Sequence, residues 1–189
     1  MNKLWKSFST YIFPVIIIGI VVVCCVLFLL DNLPYDNSAL DVDISREKVV
    51  INNDLLMSDT LGKNISNDNY KNGTIGYADV VIKSKADGKV KFELVINKEE
   101  AISEVDPRFV KVYVTNFYDE PLKGYNGAQV PTYFELKVAE TDPSAKVLYS
   151  GSLKDKGEAK IRVRMWVADT LELTPETKIF SSIFSVNVK

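Results

Sequence analysis

Three side chains on one predicted strand could bind a ligand: Arg162, Arg164 and Trp166. In residues 159–169 they alternate with apolar side chains, so they share the face opposite the apolar one. Arginine and tryptophan are enriched among the residues that dominate binding interfaces. We therefore predict a candidate binding face at these three residues. The alternative is a tryptophan that covers the outer face of a sheet with the two arginines packed beside it.

The chain offers few residue types for catalysis. It has no histidine, and its two cysteines, Cys24 and Cys25, are adjacent in an apolar run. These absences exclude Ser-His-Asp and Cys-His catalysis, zinc sites of the usual type, and disulfides in the rest of the chain. A serine–lysine pair or two carboxylates would still be available. We predict no catalytic, cofactor-binding or metal-binding residue.

Two segments contain residues that could form a serine–lysine pair or a pair of carboxylates. Ser58, in Met57-Ser58-Asp59, comes closest to the serine segment that follows the anchor in signal peptidases, although the order is reversed and the proline is missing. Asp169, Glu172 and Glu176 lie in one predicted loop and could act as paired carboxylates, as in glycosidases. An acidic surface loop is the ordinary alternative for the second segment.

Residues 68–73, DNYKNG, with Asp79 further on, have the spacing of an EF-hand calcium loop. The flanking helices are missing from the pattern, and Tyr70 stands where a ligand is expected. We therefore predict a plain turn that leads into a strand at Tyr77.

A run of twenty uncharged residues, 11–30, dominates the start of the sequence. A helix of that length spans roughly 30 Å, the thickness of the hydrocarbon core of a bilayer. The run is longer than the apolar region of a cleaved signal, which is about 7–15 residues, and no small-residue cleavage site follows it. We predict an uncleaved transmembrane helix that contacts the lipid bilayer.

Flanking charges predict the orientation of this helix. Lys3 and Lys6 precede it, whereas several aspartates follow it, and bases stay on the cytoplasmic side. The predicted organisation is a cytoplasmic tail (1–10), the transmembrane helix (11–30), a juxtamembrane linker (31–43) and an extracytoplasmic domain (44–189). The predicted location is a cell membrane crossed once, with the C-terminal domain extracellular.

Composition limits the partners of that domain. The chain has 23 basic and 25 acidic residues, a formal net charge of −2, and both bases before the helix lie outside the domain. This balance argues against nucleic acid as a partner. The abundance of Lys, Asn and Ile fits a low-GC genome, which favours a Gram-positive bacterium.

Period-2 alternation predicts an all-β domain. We expect a first strand at 49–51 with a turn at Asn52–Asp54, and a hairpin turn at Ala86–Gly88. Residues 132–138 should form a strand with Phe134, Leu136 and Val138 inward. The predicted strands are 49–51, 77–84, 89–97, 109–117, 132–138, 146–153, 159–169 and 179–189. Seven to eight short strands separated by turns indicate an immunoglobulin-like or jelly-roll antiparallel sandwich.

Residues 146–188, KVLYSGSLKDKGEAKIRVRMWVADT…FSSIFSVNV, resemble the C-terminal half of camelysin/TasA-type surface proteins of Gram-positive bacteria. The most particular part is the pattern V/I-x-V-x-M-W-V at residues 161–167. The resemblance implies a jelly-roll or immunoglobulin-like sandwich, export, and a structural or matrix role, and it supplies no catalytic residues. Proteins of this family usually lose a signal, which frees a new N-terminus for fibre assembly, whereas the segment here is predicted to be retained.

Three functions remain open from the sequence. The first is a surface structural or binding module whose partner is a protein or a matrix polymer, reached through exposed edge strands. The second is a tethered hydrolase that uses a serine–lysine pair or two carboxylates. The third is an accessory subunit of an envelope or secretion complex, although the helix offers one glycine and no polar contacts for association.

Overall fold

The computed structural model describes residues 20–22, 39–65, 75–172 and 175–189. The chain divides into two compact units, residues 1–35 and 36–189. In the first unit, residues 20–22 are helical, while the remainder of the predicted membrane segment 11–30 and the predicted tail 1–10 lie outside the described residues. Within the described ranges, no helix has the length and apolar character needed to cross a membrane.

Strands are the main regular structure of the second unit, as the sequence predicts. One short helix, α1 (Asp59–Asn64), and two 3-10 turns, Pro107–Phe109 and Tyr133–Glu135, accompany them. In the described residues the strands are β1 (Leu40–Ile44), β2 (Lys48–Asn52), β3 (Leu56–Met57), β4 (Gly76–Ser84), β5 (Lys89–Lys98), β6 (Val110–Asn116), β7 (Ala145–Lys154), β8 (Glu158–Ala168) and β9 (Ile179–Val188).

These strands form two sheets. One has the order β1-β4-β8, with β6 on the other edge of β8 and β3 continuing the β4 edge; the other has the order β2-β9-β5-β7. All pairs are antiparallel except the short contact between β3 and β8. Alternate side chains of both sheets meet in one apolar core, to which β4 contributes Val80 and β5 contributes Phe92. The predicted all-β, mostly antiparallel body is therefore confirmed.

The inward faces of β5 and β6 are those that alternation predicts. Val90, Phe92, Leu94 and Ile96 of β5 are buried, as are the three predicted valines of β6. The first predicted strand is also present as β2, and a turn follows it. An additional strand, β1, precedes it and pairs with β4, so the last residues of the segment predicted as a linker belong to the sheet.

The predicted hairpin at Ala86–Gly88 is wrong in its pairing. β4 and β5 lie in different sheets, so this turn carries the chain across the core from one sheet to the other. A second crossing, at residues 155–157, joins β7 to β8, and the N–H of Asp155 donates to the carbonyl of Gly88 at 3.0 Å. Left-handed backbone at Gly88 (φ +102°) helps to turn the chain at the first crossing. Strands that switch sheets through such bends form the corners of a two-layer fold.

The predicted strand at 132–138 is also wrong. Its centre is the 3-10 turn Tyr133–Glu135, and Phe134 is 62% exposed, while Val138 is exposed as well. The carboxylate of Glu135 accepts hydrogen bonds from the N–H of Thr132 at 2.7 Å and from its hydroxyl at 2.9 Å, which closes the turn. Leu136 is buried as predicted, and so is Tyr133, three residues earlier.

Candidate functional site

The predicted binding face lies on the outer side of β8, where other parts of the chain cover it. The side chains of Arg162 and Arg164 are 10% and 3% exposed, and Trp166 is fully buried. An open ligand-binding strip needs exposed side chains, so these three residues do not form one in this arrangement. Their burial favours the alternative, in which the tryptophan and the two arginines pack on the outer face of the sheet.

Helix α1 covers Trp166. Gly62 lies so close to the indole that a Cβ built on it would stand 2.3 Å from the ring. Ser58 precedes the helix and caps it, because its hydroxyl accepts a hydrogen bond from the N–H of Leu61 at 3.3 Å. Ser58, the serine of the serine–lysine hypothesis, therefore serves as a helix cap. The carboxylate of Asp59 accepts from the N–H of Val130 at 2.7 Å and holds the helix against the 117–131 connection.

Arg162 lies at the centre of a charged cluster. Asp79 on β4 accepts two hydrogen bonds from its guanidinium, at 2.9 and 3.3 Å, and Asp119 accepts a third at 3.3 Å. The rings of Tyr77 and Phe117 lie near the guanidinium, with centroids 5.2 and 5.3 Å away. The hydrogen bonds to Asp79 raise the pKa of Arg162 above its ordinary value despite partial burial. The cluster thus fixes a buried positive charge.

Arg164 shares one of these acids. Its guanidinium donates to the carboxylate of Asp119 and, at 3.2 Å, to the carbonyl of Lys63 at the end of α1. Its Nε is buried and has no hydrogen-bond partner among the described residues. Asp119 adopts a left-handed backbone (φ 62°), which an aspartate tolerates better than most residues. One exposed acid at the tip of the connection after β6 therefore serves both buried arginines.

Tyr77 donates a hydrogen bond to Asp79, and burial together with that bond raises the pKa of its hydroxyl. An unfolded tyrosine ionises near pH 10, about its reference value, whereas the folded one stays neutral. Its contribution to stability is therefore complete below about pH 10 and is lost as the pH rises further.

We expect the free energy of unfolding to fall above about pH 10, and Tyr77→Phe to flatten part of that fall. Tyr118→Phe is the control, because that ring is exposed. Thermal unfolding measured across alkaline pH tests the difference. Equal profiles for Tyr77→Phe and the parent chain would show that Tyr77 is not held in its neutral form.

The other sequence candidates lie apart from this cluster. Asp169, Glu172 and Glu176 are exposed in the connection between β8 and β9, part of which lies outside the described residues. Residues 68–73 of the calcium-like loop also lie outside them. Asp79, its last acid, is in strand β4 and accepts from Arg162 and Tyr77, as described above.

Sequence reasoning did not single out a groove on the outer face of the second sheet. We call it the lysine groove; its volume is about 560 Å³, and its lining includes Lys89, Lys91, Glu93, Lys137, Ser152 and Lys189. Alternation along β5 does predict that its lysines face outward. The alternation gives no indication of which strands lie beside β5, so the positions of Lys137, which precedes β7, and Lys189, which follows β9, in the same groove could not be predicted.

Glu93 is the one acid in the lining of the groove and is only 2% exposed. Its Oε1 lies 2.8 Å from Nζ of Lys189 and accepts a hydrogen bond from the hydroxyl of Ser150 at 2.9 Å. The hydrogen bond to Glu93, helped by one to Glu140, raises the pKa of Lys189. Glu93 therefore holds one lysine of the groove in place and in its charged form.

Comparisons of this chain with protein-family models, with curated proteins and with solved structures find no match.

Proposed function

We propose that this protein is a membrane-anchored, extracytoplasmic β-sandwich that acts as a surface structural or binding module. Residues 11–30 anchor it in the bilayer, the N-terminus lies in the cytoplasm, and the body that ends at Lys189 works outside the cell. Its partner is a protein or a matrix polymer, and no chemical step is required of the module.

One observation carries this proposal: packed apolar side chains fill the space between the two sheets, while the outer face of one sheet bears an open, charged groove. A filled interior leaves the outer faces and edges as the surfaces through which the module can act. The charged cluster around Arg162 is bound up in contacts within the fold, which suits a structural role for that face.

The finer fold class is part of the same proposal. β4 pairs with β8 in one sheet, and β5 pairs with β7 in the other. The turn between β4 and β5 is hydrogen-bonded to the turn between β7 and β8, so the two paired segments pass together from one sheet to the other. An antiparallel ribbon folded over a core in this way supports a jelly roll more than an immunoglobulin-like sandwich. It also agrees with the resemblance to camelysin/TasA-type surface proteins.

The anchor is tested on the full chain produced in a bacterial host. We expect the protein to stay in the membrane fraction through washes with high salt and alkaline carbonate, and its intact mass to include residues 1–30. Release by carbonate, or a mass that begins after residue 30, would contradict the anchored module. Ile18→Asp places a charge at the centre of the predicted spanning segment, where it should weaken retention in the membrane. Leu30→Asp is the control, because a charge at one end of the segment should be tolerated better.

A further inference from the structure

We propose that the lysine groove binds a linear phosphate polymer outside the membrane. This proposal deepens the proposed binding function and rests on it, because it names the chemistry of the partner. The ligand would lie across the exposed face of β5 and contact Lys189, which follows β9, on one side and Lys154 of β7, beside the groove, on the other.

Strand register brings four lysines together on this face. Lys89 pairs directly with Lys154 of β7. Lys91 lies opposite Lys189, whose N–H donates to the carbonyl of Lys91 at 2.9 Å and so extends the pairing of β9 with β5. Neighbouring strands are about 4.8 Å apart, and same-face residues along one strand are roughly 6.8 Å apart. Four cations thus occupy a small patch of one sheet.

Like charges directly opposite each other destabilise a sheet. In the described part of the chain, Lys89, Lys91 and Lys154 have no carboxylate within salt-bridge distance, whereas Lys137 and Lys189 share Glu140. Glu93 also pairs with Lys189, so these acids are taken up by Lys137 and Lys189. The fold therefore bears an uncompensated repulsion that a bound polyanion would relieve.

The buried acid supports a built site over a chance cluster. Glu93 is held by Lys189 and Ser150 beneath the groove, and its second oxygen is buried without a partner among the described residues. Burying a carboxylate costs free energy unless a cation neutralises it. Glu93 is thus a positioning residue that holds the amino group of Lys189 over the sheet and does not itself face the ligand.

The groove suits a flexible chain of phosphates because the cations in its lining are all lysines. Arginine presents a planar fork that matches one carboxylate or phosphate with two parallel hydrogen bonds, whereas lysine acts as a compact point charge with three donors. Point charges in a row suit a flexible chain of charges better than a single rigid group. The exposed hydroxyl of Ser152, opposite Lys91, adds a neutral donor. The rest of the chain is acidic overall, which does not favour a polyanion elsewhere.

The test uses the full chain in neutral detergent micelles and fluorescent linear polyphosphate as the probe, with binding followed by anisotropy at several salt concentrations. Lys89→Gln/Lys91→Gln removes two cations that make no ion pair in the described residues. Lys83→Gln/Lys123→Gln is the matched control, because both side chains are exposed, lie outside the groove and change the net charge equally.

We expect the groove variant to bind polyphosphate roughly tenfold more weakly at low salt. The slope of the logarithm of its binding constant against the logarithm of salt concentration should decrease in magnitude by roughly 1.4. Each phosphate-bound cation contributes about 0.7 to that slope for a single-stranded polyanion, and the variant lacks two cations. The control should bind within about twofold of the parent chain, since its lysines lie away from the ligand. The groove variant should melt no lower than the parent chain, because it removes two repelling charges, and this separates lost contacts with the ligand from lost folding.

Three results would overturn the proposal: no binding by the parent chain, equal loss in the control, or tighter binding of poly-L-glutamate or single-stranded DNA than of polyphosphate. The proposed function is measured separately by membrane extraction. A chain that stays in the membrane and fails to bind polyphosphate refutes the groove alone, whereas a chain released from the membrane refutes the anchored module whatever it binds.

Discussion

Replacing Asp79 with alanine is expected to destabilise the β-sandwich by about 3–5 kcal/mol, since removing one partner of a buried ion pair leaves the other charge uncompensated. Arg162 is that charge, held between two aromatic rings with only Asp119 left as an acceptor. Guanidinium unfolding of the detergent-solubilised chain, followed by circular dichroism in the β-sheet region, measures the loss.

Two further variants are needed to interpret this result. Asp41→Ala removes an acid whose ion pair within the described residues is an exposed contact with Lys85, 3.8 Å away, and such pairs are worth about 0–1 kcal/mol. Arg162→Met in the Asp79→Ala background removes the stranded charge and should recover at least about 2 kcal/mol, because replacing a whole buried pair is often neutral. A loss for Asp79→Ala no larger than that for Asp41→Ala would mean that the cluster is not a buried ion-pair network.

Trp166→Ala is expected to cost about 3–5 kcal/mol, the usual range for deleting a large buried aromatic side chain. For a domain of this size that lowers the melting temperature by roughly 10 °C. Trp166→Phe should cost much less, because it keeps most of the ring and removes an indole N–H that has no hydrogen-bond partner among the described residues. Thermal unfolding of the two variants distinguishes lost packing from the loss of a polar group.

A substitution in α1 that adds atoms tests the contact between Gly62 and Trp166 from the side of the helix. Gly→Ala inside a helix normally stabilises it by up to about 1 kcal/mol. At Gly62 the added methyl would overlap the indole of Trp166, so Gly62→Ala should instead destabilise by about 1–3 kcal/mol. Thr60→Ala, at an exposed position of the same helix, is the control. A stabilising Gly62→Ala would show that α1 does not rest on Trp166.

Local periodicity correctly predicted features that depend on a single strand, such as which of its faces is buried. The burial of Phe92 and Leu94 followed from their alternation with charged neighbours, because period-2 spacing alone decides which face of β5 is apolar. It failed at residues 132–138, where the capping interaction of Thr132 with Glu135 closes a 3-10 turn that alternation does not reveal.

The candidate sites depended on contacts distant in sequence and were therefore harder to predict. Arg164 and Trp166 looked like exposed residues because their covers, α1 and the loop at Asp119, come from other parts of the chain. The lysine groove was missed for the same reason. Lys89 meets Lys154 only after each strand has been assigned to its sheet, and the expected β4–β5 hairpin placed β5 beside the wrong neighbour.

We propose that the body after the predicted membrane segment lies outside the cell, and cysteine labelling tests this central proposal most directly. Lys123→Cys places a thiol at an exposed position, and the parent chain, with only Cys24 and Cys25 in the predicted membrane segment, supplies the background. Ser7→Cys, in the predicted cytoplasmic tail, is the matched control. A membrane-impermeant maleimide should label Lys123→Cys on intact cells and Ser7→Cys only after lysis. Labelling of Ser7→Cys on intact cells, with Lys123→Cys protected until lysis, would contradict the account.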